Sequence, residues 1–173
     1  VYASSSQIWT AREAEHMVDE TTPRDSASFY GRTKIAAADH LGHLRAHDGL
    51  NASVAILFNH ESPWRAPSFV TRKISMAAAR AARGGAGALT LMNIGARTDW
   101  QAASDVVEAA FDHAGVSWHD LVKANRDQAG PVLVGRPDKA RRELGWKPGM
   151  DFTGIAREMV EADLARLDGT FPD

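Results

Sequence analysis

Tyr30 and Lys34 stand four residues apart in a stretch, from about Phe29 to Leu44, whose apolar and alanine residues recur at helical spacing. That spacing projects both side chains from one helix face. An ammonium beside a phenol stabilises the phenolate, which makes the tyrosine a usable acid or base for the carbinol proton that accompanies hydride transfer. Ser4-Ser5-Ser6 ends a short β-prone run from Val1 to Ile8, and its hydroxyls are suited to hydrogen-bond the same substrate oxygen. Each feature also has a plainer reading: an exposed helical Tyr and Lys, and a serine loop. A strand end and a Tyr-Lys helix occurring together make one candidate site of them.

Asn59-His60-Glu61 follows Ala52 to Phe58, an almost continuous apolar run of the kind that forms a strand buried on both faces of a parallel sheet. A polar cluster in that position is either a ligand contact, since α/β folds bind ligands beyond strand ends, or a loop cap. It resembles no metal motif, because no second His or carboxylate stands at the helical offset used by zinc sites. Gly84-Gly85-Ala86-Gly87 follows a helical stretch rather than a strand, so it reads as a helix terminator and not a phosphate loop. Trp100, Trp118 and Trp146 read as core or packing residues.

The elements that must position these groups follow from periodicity. Helices are expected at about 29–44, 68–83, 103–114, 137–144 and 152–167, with strands at 1–8, 52–58, 88–94 and 131–134. Residues 10–27 read as an irregular connection. The order strand, helix, strand implies α/β architecture with crossover connections. With 173 residues, 44% hydrophobic and 24% charged, the composition is that of a globular domain. A net charge of -2 with scattered basic residues argues against nucleic acid as a partner. The lack of cysteine excludes disulfides and thiolate chemistry and fits the cytoplasm. No apolar run approaches the roughly 20 residues that span a bilayer.

Leu57-Phe58-Asn59-His60-Glu61-Ser62-Pro63 followed by Phe69-Val70-Thr71-Arg72-Lys73-Ile74-Ser75 resembles the most distinctive stretch of the GDP-mannose 4,6-dehydratases, in the extended short-chain dehydrogenase/reductase superfamily. Ala3 to Ile8 is similar to that family's active-site strand, Thr21-Thr22-Pro23 to the loop after it, and Tyr30-Gly31-Arg32-Thr33-Lys34 to its Tyr-x-x-x-Lys helix. Asn93-Ile94, Arg97, Asp99-Trp100, Lys139-Ala140, Leu144 to Pro148 and Met159-Val160 match in order. The resemblance implies a partial Rossmann-like parallel sheet plus a smaller α/β substrate-binding lobe. Residues 1–66 would be the later part of the dinucleotide-binding domain, and 67–173 the GDP-sugar lobe with interleaved segments. It also implies NADP, GDP-D-mannose as substrate, and a homo-oligomer, with tetramers the family's habit. The reaction would oxidise C4 of the hexose, eliminate water across C5 and C6, and return the hydride to C6.

Carried over by position, Tyr30 would be the C4 acid/base, Lys34 its partner and a ribose contact, and Ser5 a hydroxyl in place of the family's threonine. His60 and Arg65 fall at NADP contacts, and Asn59, Lys73 and Arg97 at contacts to the GDP-sugar. Gln7 stands where the family has the glutamate that moves the C5 proton, and an amide is no proton acceptor. Trp64 and Thr98 replace positions that are usually basic. The family's first strand, glycine-rich turn and helix have no counterpart among these residues. Segments are also expected to be missing between Trp100 and Val107, where either a chain break or a short-cut is anticipated, and between Leu121 and Val132, so the central strands should keep bare edges and an uncovered apolar face. Besides the dehydratase, two readings remain: an epimerase or reductase of GDP-sugars, which needs no glutamate, and a catalytically silent binding module.

Overall fold

The computed structural model describes residues 1–12, 16–85, 87–92, 94, 97–98, 101–124 and 132–172, with backbone alone for 97, 98, 101 and 102. In chain order the elements are β1 (Tyr2–Ala3), a 3-10 turn (Ser6–Ile8), β2 (His16–Val18), α1 (Phe29–His47), β3 (Val54–Ala55), α2 (Val70–Ala82) and β4 (Leu89–Leu91). There follow β5 (Arg97–Thr98), β6 (Gln101–Ala102), α3 (Ala103–His113), β7 (Val122–Ala124), β8 (Leu133–Gly135), α4 (Asp138–Leu144) and α5 (Phe152–Leu167). Contacts divide the chain into two units, Val1–His60 with Pro131–Trp146, and Glu61–Gly130 with Lys147–Asp173. That boundary falls six residues ahead of the one drawn from the sequence at 66/67 and returns 131–146 to the first unit.

The first unit rests on two parallel strand pairs. Tyr2 faces Val54 and Ala3 faces Ala55, and the ladder runs on through Ser4 N to Ala55 O at 2.8 Å and Ser6 N to Leu57 O at 2.8 Å. β2 pairs with β8 from His16↔Leu133 to Val18↔Gly135. Buried Ile8, Trp9 and Val18 join the pairs, with Ile35, Ile56, Phe58 and Leu133 packed around them. Fully burying an Ile or Val contributes roughly 1.5–3 kcal/mol. Gly135 makes room for this core, because a Cβ there would lie 2.7 Å from the Phe58 ring.

α1 begins where Ser28 Oγ accepts a hydrogen bond from Gly31 N at 2.9 Å, satisfying one of the donors that a helix start leaves open. It ends at His47, with Gly49 in the left-handed region at φ +65°. Gly31 is its buried residue, and the reason is a close approach: a Cβ there would lie 2.0 Å from Gln7 O and 2.0 Å from Ser26 Oγ. The first turn of α1 therefore lies directly on the serine loop.

In the second unit β4 and β7 pair in parallel, Leu89 opposite Val122, and α2, α3 and α5 pack beside them. Buried residues fall at helical period: 71, 72, 74, 75, 78 and 79 on α2; 103, 106, 107, 110 and 111 on α3; 156, 159, 160, 162 and 163 on α5. Ile74, Val107, Phe111 and Val160 form the centre of this core. α2 ends at the glycine run as expected: Gly84 takes φ +74°, Gly84 N bonds Ala81 O and Gly85 N bonds Arg80 O, which closes the last turn. Among the described residues, no helix is long and apolar enough to cross a membrane.

The chain thus has a partial α/β fold with short parallel sheets, and its five helices lie within three residues of the expected bounds. The strands differ more. Residues 10–27 are not wholly irregular but contain β2, whose partner lies more than 100 residues away. The run from Val1 to Ile8 is a strand only at its start and then tightens into the 3-10 turn. Ala52 to Phe58 is not buried on both faces: β3 pairs only with β1 among the described residues, Val54, Ala55, Ile56 and Phe58 are half-buried, and Leu57 is 42% exposed. Trp118 packs against the second core, but Trp146 is 48% exposed just beyond the left-handed Gly145, where the chain turns out of α4. Trp100 lies outside the described residues. At the anticipated short-cut, β5 and β6 form an antiparallel hairpin that leads straight into α3.

Gly31→Ala should force α1 off the serine loop and destabilise the chain by about 1–3 kcal/mol, the usual cost of overpacking. Urea denaturation followed by circular dichroism checks this, and an unchanged midpoint would contradict the close approach.

Candidate active site

Four of the candidate residues sit on the serine loop and the first turns of α1. Lys34 Nζ donates to the backbone oxygen of Ala3, 31 residues away in sequence, at 2.9 Å. From there the ammonium lies 5.5 Å from the centroid of the Tyr30 ring and 5.0 Å from that of Tyr2. Each such cation–ring approach is worth about 0.5–1 kcal/mol at an exposed site. Tyr30 is 48% exposed, so its phenol is accessible to a ligand. The expected four-residue pair is therefore brought to the end of β1.

The three serines are not equivalent. Ser5 Oγ accepts from Gln7 N at 3.2 Å and so caps the 3-10 turn, while its own proton is left to donate elsewhere. Ser4 is 4% exposed, and its Oγ is buried without a hydrogen-bond partner. Gln7 is exposed and its backbone oxygen meets Gly31. Asn59 and His60 follow β3 at the same end of the strand pair as the serines; both are exposed, and His60 Nδ1 lies 3.2 Å from Phe58 O. Tyr2 was not singled out by sequence reasoning. Its signal is the two-residue period of a strand, which places it on the face shared with Ser4.

The other candidates belong to the second unit. Arg65 Nε lies 3.1 Å from Glu61 Oε2, and its guanidinium stacks 3.6 Å above the centroid of Phe69. Lys73 is exposed and lines a cleft of about 580 Å³ with Met76, Arg80, Arg83, Leu167 and Asp168. Arg83 is paired there with Asp168 through two hydrogen bonds. That contact holds the Asp168 carboxyl below its ordinary value, first by the hydrogen bond from Arg83. Arg97 belongs to β5, and its side chain is outside the described residues. No group of three or more His, Asp or Glu suited to a metal ion occurs among the described residues.

Comparison with known proteins bears on what such a site does. The family profile described as GDP-mannose 4,6 dehydratase matches residues 1–117. GDP-mannose 4,6 dehydratase 1 of Arabidopsis thaliana is 35% identical over 178 positions, covering 84% of this chain and 49% of the relative. GDP-mannose 4,6 dehydratase of Cricetulus griseus is 31% identical over 212 positions, covering 94% of this chain and 57% of the relative. That alignment is longer than the 173 residues available, so the relative carries segments inside the match that this chain lacks. The chain spans about half the length of the curated relatives it matches. Among solved structures, RMD from Pseudomonas aeruginosa complexed with NADPH superposes with a TM-score of 0.82 at 20% identity, over 95% of this chain and 66% of that one, a likeness that carries the fold.

The far side of the serine loop is held by one carboxylate. Asp25 Oδ1 accepts from Thr10 N at 2.8 Å, Asp25 Oδ2 pairs with Arg12 at 2.9 Å, and Asp25 N donates to Ile8 O at 3.2 Å. The Thr10 N–H, then Arg12, hold the Asp25 carboxyl below its ordinary value of 3.8. A carboxyl lowered by folding stabilises the fold above its unfolded value, and this contribution disappears as the pH falls through the lowered one. The melting temperature should therefore fall as the pH drops below 3.8, and Asp25→Asn should remove part of that acid step while lowering stability at neutral pH. Superimposable melting-temperature profiles for the two proteins would contradict the latch.

Proposed function

Because this chain belongs to the GDP-mannose 4,6-dehydratase family, we propose that it carries the acid/base centre of an NADP-dependent hydro-lyase converting GDP-D-mannose to GDP-4-keto-6-deoxy-D-mannose. The observation that carries this reading is the Lys34 ammonium, fixed on Ala3 O and 5.5 Å from the ring of an accessible Tyr30. In it, Tyr30 takes the proton from the C4 hydroxyl as C4 is oxidised, and the Ser5 hydroxyl hydrogen-bonds the same oxygen, which remains a carbonyl oxygen in the product. Lys34 has two ammonium donors left beyond the one on Ala3 O, which suits them to a ribose diol. These groups fit the nicotinamide-ribose end of the dinucleotide. The glycine run after α2 does not fit a pyrophosphate, since it terminates a helix. When bound, NADP supplies the hydride acceptor for C4 oxidation and the donor for C6.

His60 and Arg65 are assigned to NADP and Asn59, Lys73 and Arg97 to the GDP-sugar. For Lys73 the support is its cleft, where Arg80 adds a second cation suited to a diphosphate. The partners are a GDP-sugar and, by family habit, further copies of the same chain, and the compartment is the cytoplasm, in keeping with the absence of cysteine.

Gln7 supports a second reading. C4 redox chemistry needs no base at C5, so a reductase of a GDP-4-keto-6-deoxy sugar, or an epimerase that inverts C4 of a GDP-sugar by oxidation and re-reduction, would lose nothing by carrying an amide there. Single-turnover reaction with GDP-mannose, following both NADPH and the 4-keto-6-deoxy product, separates the two. A positioned acid or base typically contributes about 10²–10⁴-fold. Tyr30→Phe should slow the transient reduction of NADP by that order, and Gln7→Glu should accelerate product formation. Native protein as fast as the Glu variant would remove Gln7 from the chemistry. In a protein that also carries the family's first strand, glycine-rich turn and helix, absence of NADPH from both would sink the dehydratase reading.

A further inference from the structure

α2 carries Lys73 but enters its first turn without a side-chain cap, since Phe69 holds the N-cap position. What fixes that turn is instead a buried carboxylate on α5. Asp163 is 3% exposed; its Oδ1 accepts from Arg72 Nη2 at 2.6 Å and Arg166 Nη1 at 3.2 Å, and its Oδ2 from Ser75 Oγ at 2.7 Å. Both guanidiniums then reach the same backbone oxygen: Arg166 Nη2 donates to Pro63 O at 2.7 Å, and Arg72 Nη1 donates to Pro63 O and to Arg65 O. Thr71 Oγ1 adds a bond to Glu61 Oε2 at 2.5 Å, and Glu61 in turn pairs with Arg65.

We propose that Asp163 is a positioning residue which, through the Arg72 and Arg166 forks, sets the loop Glu61–Arg65 and the first turn of α2, and so the presentation of Arg65 and Lys73 to a phosphate-bearing ligand. The role assigned to Lys73 rests on the proposed function; the clamp itself does not. A charge buried without a partner is strongly unfavourable, so Asp163 and Arg72 must stay together. A well-packed apolar pair is often as stable as a buried ion pair, which makes bulk stability a poor account of this one. A planar guanidinium can bridge a carboxylate and a carbonyl at once, whereas an ammonium is a single point of charge. Pro63 suits the grip because it fixes its own φ and brings a carbonyl with no N–H of its own. Lys73 follows Arg72 directly, about 100° around the helix, so any rotation of the buried fork swings the exposed ammonium.

The test compares Arg72→Lys, Asp163→Asn and Lys73→Ala with the native chain by two measurements: hydrogen exchange of peptides covering 61–69 against those of α3, and equilibrium dialysis with GDP-mannose. Arg72→Lys keeps the charge and loses the fork. It should leave exchange in α3 near native, raise exchange in 61–69, and weaken GDP-mannose by roughly tenfold. Asp163→Asn should do the same more strongly, and if it unfolds the chain, Arg72→Lys decides. Lys73→Ala should weaken binding and leave loop exchange native. Native exchange in 61–69 for Arg72→Lys overturns the proposal, as does loosening that leaves GDP-mannose affinity unchanged in a chain whose binding depends on Lys73. A native chain with no affinity for GDP-mannose, yet with a loop that loosens in Arg72→Lys, would count against the proposed function while supporting the clamp.

Discussion

A hydrogen bond across 31 residues, from Lys34 Nζ to Ala3 O, sets the geometry of the first unit's site. It can form only if the first turns of α1 lie on the loop after β1. That contact is possible because position 31 has no side chain, with Gln7 O and Ser26 Oγ standing where a Cβ would be. The Ser28 cap fixes where the helix begins and hence which face carries Tyr30 and Lys34. Asp25 ties the opposite side of the same loop to Thr10 and Arg12. Losing any one of these supports would leave Lys34 and Tyr30 in the chain but uncouple them from the strand end.

Charge is used in two ways. Arg83–Asp168 and Arg24–Asp39 are exposed pairs, screened by salt and of small net worth. Arg72–Asp163 is enclosed among α2, α5 and the loop from Glu61, where screening is slight and geometry decides the outcome. The exposed cations of the cleft, Lys73 and Arg80, are carried on the helix that the buried pair holds. Anchoring charge and exposed charge are thus divided between neighbouring residues of one helix, with Arg72 facing inward and Lys73 outward.

Local signals were the legible ones. α2 and α3 announce themselves by a 3.6-residue apolar period, while Ser28 and Asp151 at caps and Gly84 at a terminus mark where helices begin and end, and all of these act within a few residues of chain. Tyr30 and Lys34 could be paired for the same reason. Short strands are different: β2 is three residues in a polar stretch, and it is a strand only because β8 lies alongside, a pairing that no local pattern encodes. Long-range polar partners are equally silent. Asp163 reads as an ordinary acidic residue until Arg72, 91 positions earlier, is seen against it. Trp146 misled because bulk alone suggests burial, whereas the turn at Gly145 leads the chain outward.

In the apolar run from Ala52 to Phe58, composition and burial part company, as the expected bare edges imply. Its composition is that of a strand covered on both faces, yet it has one neighbour, β1, and its side chains are only half-buried. Sequence records the environment a strand is suited to, while burial records what surrounds it among these residues. The relatives that match are about twice as long as the stretch of them this chain covers, so the two records need not agree. The chemistry divides along the same line. The phenol, ammonium and hydroxyl of the proposed acid/base centre are local to β1, the turn after it and α1. What a dinucleotide's pyrophosphate requires is a strand running into a glycine turn and a helix start. No such unit is found among the described residues, so the contact of Lys34 and Tyr30 with the strand end forms independently of any grip on a pyrophosphate.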